Sequence, residues 1–400
     1  MSTIEKLASD RGVPLAAIAE IAGISEGSIR DQTVDNYSAK EIDAIAAILG
    51  VDSATLYAKS DVAVRKIPSD FRTVNNDEFL LNKYSLNAIY NVYSIIEYIK
   101  NVEKDLKRNS SKEIEGFIPK SKDPRSILAS LADIFEADAD FFEDKNDEYE
   151  IFNILRYRLE DKGVYVICER VDDNSFKGFC VNYDDIRVVF INTNSQSLRS
   201  RIFTLVHEVV HILLNVPGIG DPYLGRREQE RSINSITANY LVSSSIIRNL
   251  AEAYGEIVDP VSFVNYLGEK LPFSKYFLAI RASEVLDRQK GLARSWLEAI
   301  GVAYPHRSAI QNPNFFNAIN NEDRDSSEDP NAFQPRHTSA SYQVARLGFS
   351  LLALAEIATN TRTSTKFDLK YFLNIPPKNY EKVISSFHRK RNEVSRNAST

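Results

Sequence analysis

The stretch Ser197-LRSRIFTLVHEVVHILL-Asn215 decides how the chain folds around its chemistry. Its apolar residues recur at helical spacing, Ser195 or Ser197 stands where an N-cap belongs, and Pro217-Gly218 offers a stop. The spacing therefore predicts one long, largely buried helix. On such a helix, residues four apart project from the same face, so His207 and His211 stack one above the other. That is the spacing at which one Zn²⁺ accepts two imidazole nitrogens at about 2.0–2.1 Å. Glu208 stands beside the first histidine, within reach of a water on the ion, and is the candidate general base. With five His in 400 residues, a chance His-Glu-x-x-His has an expectation of roughly half a per cent. Paired core histidines are the plainer reading, and a closed structural zinc site would call for Cys ligands.

A hydrolytic zinc takes a third protein ligand and leaves one position for water. The next predicted helix, EQERSINSITANYLV, offers Glu228 and Glu230. Glu230 is in phase with Ile233, Asn234 and Ala238 and is the choice, with Glu228 in reserve. No oxyanion-stabilising side chain is legible; Tyr223, Tyr240 and His306 are unranked. His306, His337 and His388 sit in polar or terminal surroundings that suit surface residues.

Upstream of the helix, VYVICERV, GFCVN and RVVFINT are short apolar runs bounded by polar turns, which predicts a small antiparallel sheet. RVVFIN, just before the helix, is expected to be an open edge that receives an extended substrate by backbone pairing. Cys168 and Cys180 fall on strands expected to be adjacent, and two cysteines do not make a disulfide framework. Both read as reduced, buried side chains.

Residues 1–60 read as a compact set of short helices with a turn at AGIS and N-cap candidates at Ser38 and Asp52. This segment, in PLAAIAEIAGISEGSIR and ILGVDSATLY, resembles the XRE-type helix-turn-helix domain. Its predicted recognition helix presents Ser28, Arg30 and Gln32 to a base or phosphate. Five Lys/Arg against nine Asp/Glu oppose phosphate neutralisation, so DNA binding and protein docking both stay open.

Residues 61–149 read as helical linker or scaffold, 150–300 as the domain that holds the motif, 301–340 as a flexible Asn/Asp/Ser/Pro-rich connection, and 341–400 as a C-terminal helical region. The fold class is α+β. No apolar run reaches the roughly 20 residues that span a bilayer, and the N-terminus lacks a signal-peptide pattern, so the expected place is the cytoplasm, away from membranes. A net charge of -6 opposes a protein that coats nucleic acid over a large surface.

Together KGVYVI, GFCVN, VVFINTNSQSLRSRIFTLVHEVVHILLN and ERSINSITANYLV resemble the ImmA/IrrE metallopeptidases that carry an N-terminal XRE-type domain. PSDFRT at 68–73 and LPFSKYFLAIRASEVL look like flanking family segments, so the resemblance covers most of the chain. Ile233 stands where the family usually has Ala, and VSSSII where it has a Leu-Met-Pro-like turn. The resemblance implies a zincin-like, gluzincin-type fold with Glu230 as third ligand, and Zn²⁺, or Mn²⁺ or Fe²⁺ in its place. It also implies a narrow protein substrate, a helix-turn-helix repressor or antitoxin whose cleavage releases mobile-element, stress or toxin genes. The competing reading is a DNA-binding regulator, or a toxin-antitoxin component, that uses the metallopeptidase fold for sensing or interaction. An intact Glu208 weighs against it.

Overall fold

The computed structural model describes residues 3–11, 15–31, 36–49, 56–57, 83–108, 112–143, 147–172, 176–183, 185–194, 196–215, 219–220, 228–286, 296, 301 and 339–398. Gln32, Asp52, Ser195, Tyr223, His306 and His337 lie outside them, as do PSDFRT, the Pro217-Gly218 stop and nearly all of the 301–340 connection. The chain clusters into two units, residues 1–97 with 171–173, and residues 98–170 with 174–400.

The first unit opens with four short helices, α1 (Thr3–Arg11), α2 (Leu15–Ala22), α3 (Glu26–Asp31) and α4 (Ala39–Leu49). Gly23, at φ +70°, supplies the left-handed turn that ends α2. Ser25 then caps α3 by accepting from the Ser28 backbone at 3.1 Å. Ser38 and Glu41 form a reciprocal capping box at the start of α4. Ile4, Leu7, Ile18, Ile29, Ile42 and Ile45 close a small core of their own. Helix α5 (Lys83–Leu106) runs on across the boundary between the units.

In the second unit, α6 (Lys112–Glu115), α7 (Pro124–Phe135) and α8 (Glu148–Asp161) precede the strands β1 (Val164–Glu169), β2 (Gly178–Tyr183) and β3 (Ile186–Asn192). Helix α9 (Leu198–Leu214), the two-residue strand β4 (Ile219–Gly220) and α10 (Glu228–Leu241) follow. After them come α11 (Ser244–Tyr254), α12 (Pro260–Lys270), α13 (Lys275–Leu286), α14 (Ala340–Asn360), α15 (Lys366–Leu373) and α16 (Tyr380–Ala398).

The sheet is mixed, in the order β1-β3-β2-β4, which corrects the expected antiparallel arrangement. β3 returns from a tight turn at Asp185 to lie antiparallel to β2, and it slots in beside β1 in parallel register, Val164 opposite Arg187. The physical reason is burial: every residue of β3 is buried, so the most apolar strand takes the centre, where both faces and both edges are covered. RVVFIN is therefore not an open edge. β2 is the outer long strand, and among the described residues its free side is paired only at Gly178 and Phe179, by β4.

The central position of β3 also separates the cysteines, since Cys168 lies opposite Ile191 on one side and Cys180 opposite Val189 on the other. Two strand spacings, about 9–10 Å, exceed what a disulfide spans. Both thiols are free and buried.

Candidate metal centre

Ser197 caps α9 by accepting from the Ser200 backbone, and Asn215 ends the helix in a left-handed conformation. Between them every residue from Thr204 to Leu214 is buried, so α9 lies in the middle of the core. Thr204 holds its hydroxyl on Gln196 Oε1 at 2.9 Å, tying the first turns to the end of β3. This fixes the height at which His207, Glu208 and His211 stand.

The two imidazoles face each other through their Nε2 atoms at 3.1 Å. Helix α10 brings Glu230 across from the side, with Oε2 3.6 Å from His207 Nε2 and Oε1 3.6 Å from His211 Nε2. A tetrahedral ion with ligands at about 2.0–2.1 Å separates them by roughly 3.3–3.4 Å, close to these three spacings. The three ligand atoms all lie within 4.8 Å of one another. The side chain of Glu228 lies outside the described residues.

Electrostatics agree with the geometry. His207 is wholly buried, and burial, with the neighbouring His211 second, drives its pKa well below the usual histidine value, so the ring is a neutral lone-pair donor. Burial pushes the Glu208 carboxyl up to about 8, with Glu230 also raising it and His211 and the Cys180 thiol opposing. Apart from Cys180, both Glu208 oxygens meet no donor, and Glu230 Oε2 is buried without a hydrogen bond. Acceptor-only oxygens stranded around two neutral imidazoles are the donor set a divalent cation satisfies. The residues therefore fit a zinc ion.

The approach of β2 to this centre depends on a glycine. A Cβ on Gly178 would stand 2.6 Å from Thr204 Cγ2, 2.8 Å from the Phe190 carbonyl and 3.3 Å from Glu208 Oε1. Only a residue without a side chain lets the outer strand lie this close to the carboxylate. In the sequence, Gly178 of GFCVN signals this role only as a lone glycine at the head of an apolar run.

Phe203, one turn before His207, stacks on that ring with centroids 6.1 Å apart, and Phe277 of α13 meets Phe203 edge-on. Tyr240 is no part of the centre: its hydroxyl donates to the Ala137 carbonyl at 3.0 Å within the core. His388 pairs with Glu356 at 2.9 Å on the surface. Of the residues read for DNA contact, Ser28 shares a hydrogen bond with Ser25 and Arg30 forms an exposed ion pair with Glu26 at 2.7 Å.

Residues 159–283 match the family model described as the IrrE N-terminal-like domain, a peptidase family. That match supports the ImmA/IrrE family and a metallopeptidase-like fold, and such a family implies a metal ion, usually zinc. No curated protein and no solved structure matches the chain. Among the described residues, no helix is long and apolar enough to cross a membrane.

Proposed function

We propose that the chain is a zinc-dependent endopeptidase that controls gene expression by cleaving a partner protein, a helix-turn-helix repressor or antitoxin. The observation that carries this is the convergence of His207, His211 and Glu230, from two helices, on one point beside Glu208. These three side chains would hold the ion. When bound, zinc supplies an acidified water and a Lewis acid for a peptide carbonyl.

Glu208 does the proton work. Buried next to His207, its carboxylate takes the proton of the attacking water and passes it to the departing amine. Burial of His207 keeps its ring from protonating and so from leaving the ion. The free side of β2 beyond Phe179 offers backbone groups to an extended substrate, replacing the role expected of β3.

For the first unit, we infer a helix-turn-helix module that docks on the substrate. The excess of acidic residues in positions 1–60 and the engagement of Arg30 by Glu26 support protein over phosphate as its ligand. Binding of this unit to operator DNA with a steep salt dependence would overturn that part.

The test is co-expression with helix-turn-helix repressors encoded in its neighbourhood, followed by metal analysis. Wild-type protein should carry about one zinc per chain and cleave one of them. Glu208→Gln should keep the zinc and lose cleavage by about a thousandfold or more. A Glu208→Gln enzyme that still cleaves, or a wild-type protein that binds no zinc, would sink the proposal.

A further inference from the structure

Gln196 is buried in the link between β3 and α9, immediately before the cap Ser197. Its Nε2 donates to the carbonyl of Lys177 at 2.7 Å and to that of Asn192, the last residue of β3. Its Oε1 accepts from the Thr204 hydroxyl at 2.9 Å and from the Ser200 hydroxyl at 3.2 Å, both in the first two turns of α9. An amide has two N–H donors and an oxygen with two lone pairs, so its whole hydrogen-bonding capacity is engaged. The orientation is forced, because the turned-over amide would aim its oxygen at two carbonyls that can only accept. These partners bracket the Glu208 carboxylate. Lys177 directly precedes Gly178, where an added Cβ would stand 2.6 Å from Thr204 Cγ2 and 3.3 Å from Glu208 Oε1. Thr204 and Glu208 lie four apart on α9 and so turn one face towards Gly178. The Lys177 carbonyl also accepts from the Asn192 backbone at 2.9 Å, which joins β2 and β3 at the same point.

We propose that Gln196 is a positioning residue for Glu208: its amide clamps the head of β2 and the end of β3 to the first turns of α9, and so sets the distance between the strand that receives substrate and the carboxylate that moves the proton. Gly178 permits the close approach but offers no side chain to wedge the strand against the helix. The spacing therefore falls to polar bonds, and a buried amide with every donor and acceptor matched holds it in one arrangement. A carboxylate in its place would meet the Lys177 and Asn192 carbonyls with acceptors alone, and a shorter or apolar side chain would leave those carbonyls and both hydroxyls short of a partner. The consequence for catalysis rests on the role proposed above for Glu208, whereas the clamp itself can be judged without metal or substrate.

The experiment uses the full-length, zinc-loaded protein and acetohydroxamate, a small zinc chelator whose hydroxamic proton is taken up by a base beside the ion; its affinity is measured by calorimetry. Glu208→Gln should weaken acetohydroxamate by at least about tenfold, the order of a hydrogen bond to a charged group. Gln196→Met, similar in size but without the amide, should weaken it by about three- to tenfold and leave zinc affinity nearly unchanged. In the Glu208→Gln background the same substitution should cost nothing further, because its effect runs through Glu208. Thr204→Val removes one bond of the clamp at constant shape, should give a smaller loss with the same pattern, and decides the matter where Gln196→Met fails to fold. A residue that serves only the fold would lower the melting temperature and weaken acetohydroxamate equally in both backgrounds or in neither; either result overturns the assignment. In the metal-free protein both Gln196 Nε2 protons should exchange slowly with water, and free exchange overturns it as well. Wild type that binds no zinc would instead sink the proposed function, while the exchange of the Nε2 protons still judges the clamp.

Discussion

Glu208 is held in a state that costs the metal-free protein stability, and this can be measured. Its carboxyl titrates near 8 in the folded chain against an ordinary value of 4.5. Between those values the folded state binds the proton that the unfolded state has released, so stability is complete below about 4.5 and falls as pH rises towards 8. Replacing the carboxyl by an amide removes that loss. Metal-free Glu208→Gln should therefore be more stable than metal-free wild type at pH 7, by about 1–3 kcal/mol, with the gap closing at pH 4.5. Urea denaturation at the two pH values checks this; equal gaps at both would mean that burial of the carboxylate is not the cause. Of the three proposed ligands, Glu230→Ala should lower zinc affinity by more than about a hundredfold, since even residues behind the ligands are worth 10–100-fold. Zinc titration of Glu230→Ala at wild-type affinity would remove Glu230 from the set.

Elements bring these residues together, and the sequence was legible here to different depths. The turn of α9 that presents both imidazoles could be read from spacing, because a helix converts sequence distance into direction without help from the rest of the fold. Glu230 was placed by phase with the apolar face of α10, for the same reason. The sheet was not readable to that depth: alternation and apolarity say that a strand is buried, not which neighbour it takes, so β3 was mistaken for an edge and the sheet for antiparallel. Gly178 shows what such a contact is worth. Its missing side chain admits Thr204 and Glu208, so Gly178→Ala should cost about 1–3 kcal/mol by overpacking and lower turnover by displacing the Glu208 carboxylate. Thermal denaturation and cleavage rate would be followed together. A variant as stable and as active as wild type would show that β2 and α9 have room the structure does not display.

At the scale of the molecule, the matched family segment ends at residue 283, yet the sheet it contains is completed by helices from the far end of the chain. α14 packs on β1 and α8, and α16 packs on α8 and α14. A buried ion pair welds the junction: Arg156 Nε lies 2.8 Å from Glu160 Oε1 and its guanidinium donates to the carbonyls of Val166 and Ala345. Glu160 Oε2 accepts from the backbone of Phe349 at 2.5 Å and Ser350 at 3.1 Å, where α14 kinks at Gly348 with φ +77°. A Cβ at 348 would overlap the Glu160 carboxylate. Deleting α14 to α16 would leave the pair itself but take away the Ala345 carbonyl and the Phe349 and Ser350 N–H groups that complete it, and would uncover α8 and β1. A chain cut before residue 339 should therefore aggregate or melt at markedly lower temperature, although the proposed metal ligands and the whole family segment remain. Gly348→Ala should show the same direction more gently. Size-exclusion chromatography and thermal melting of the truncated chain decide the matter: a monodisperse product with an unchanged melting temperature would mean that the C-terminal helices are an accessory, and that the segment ending at 283 can close its own core.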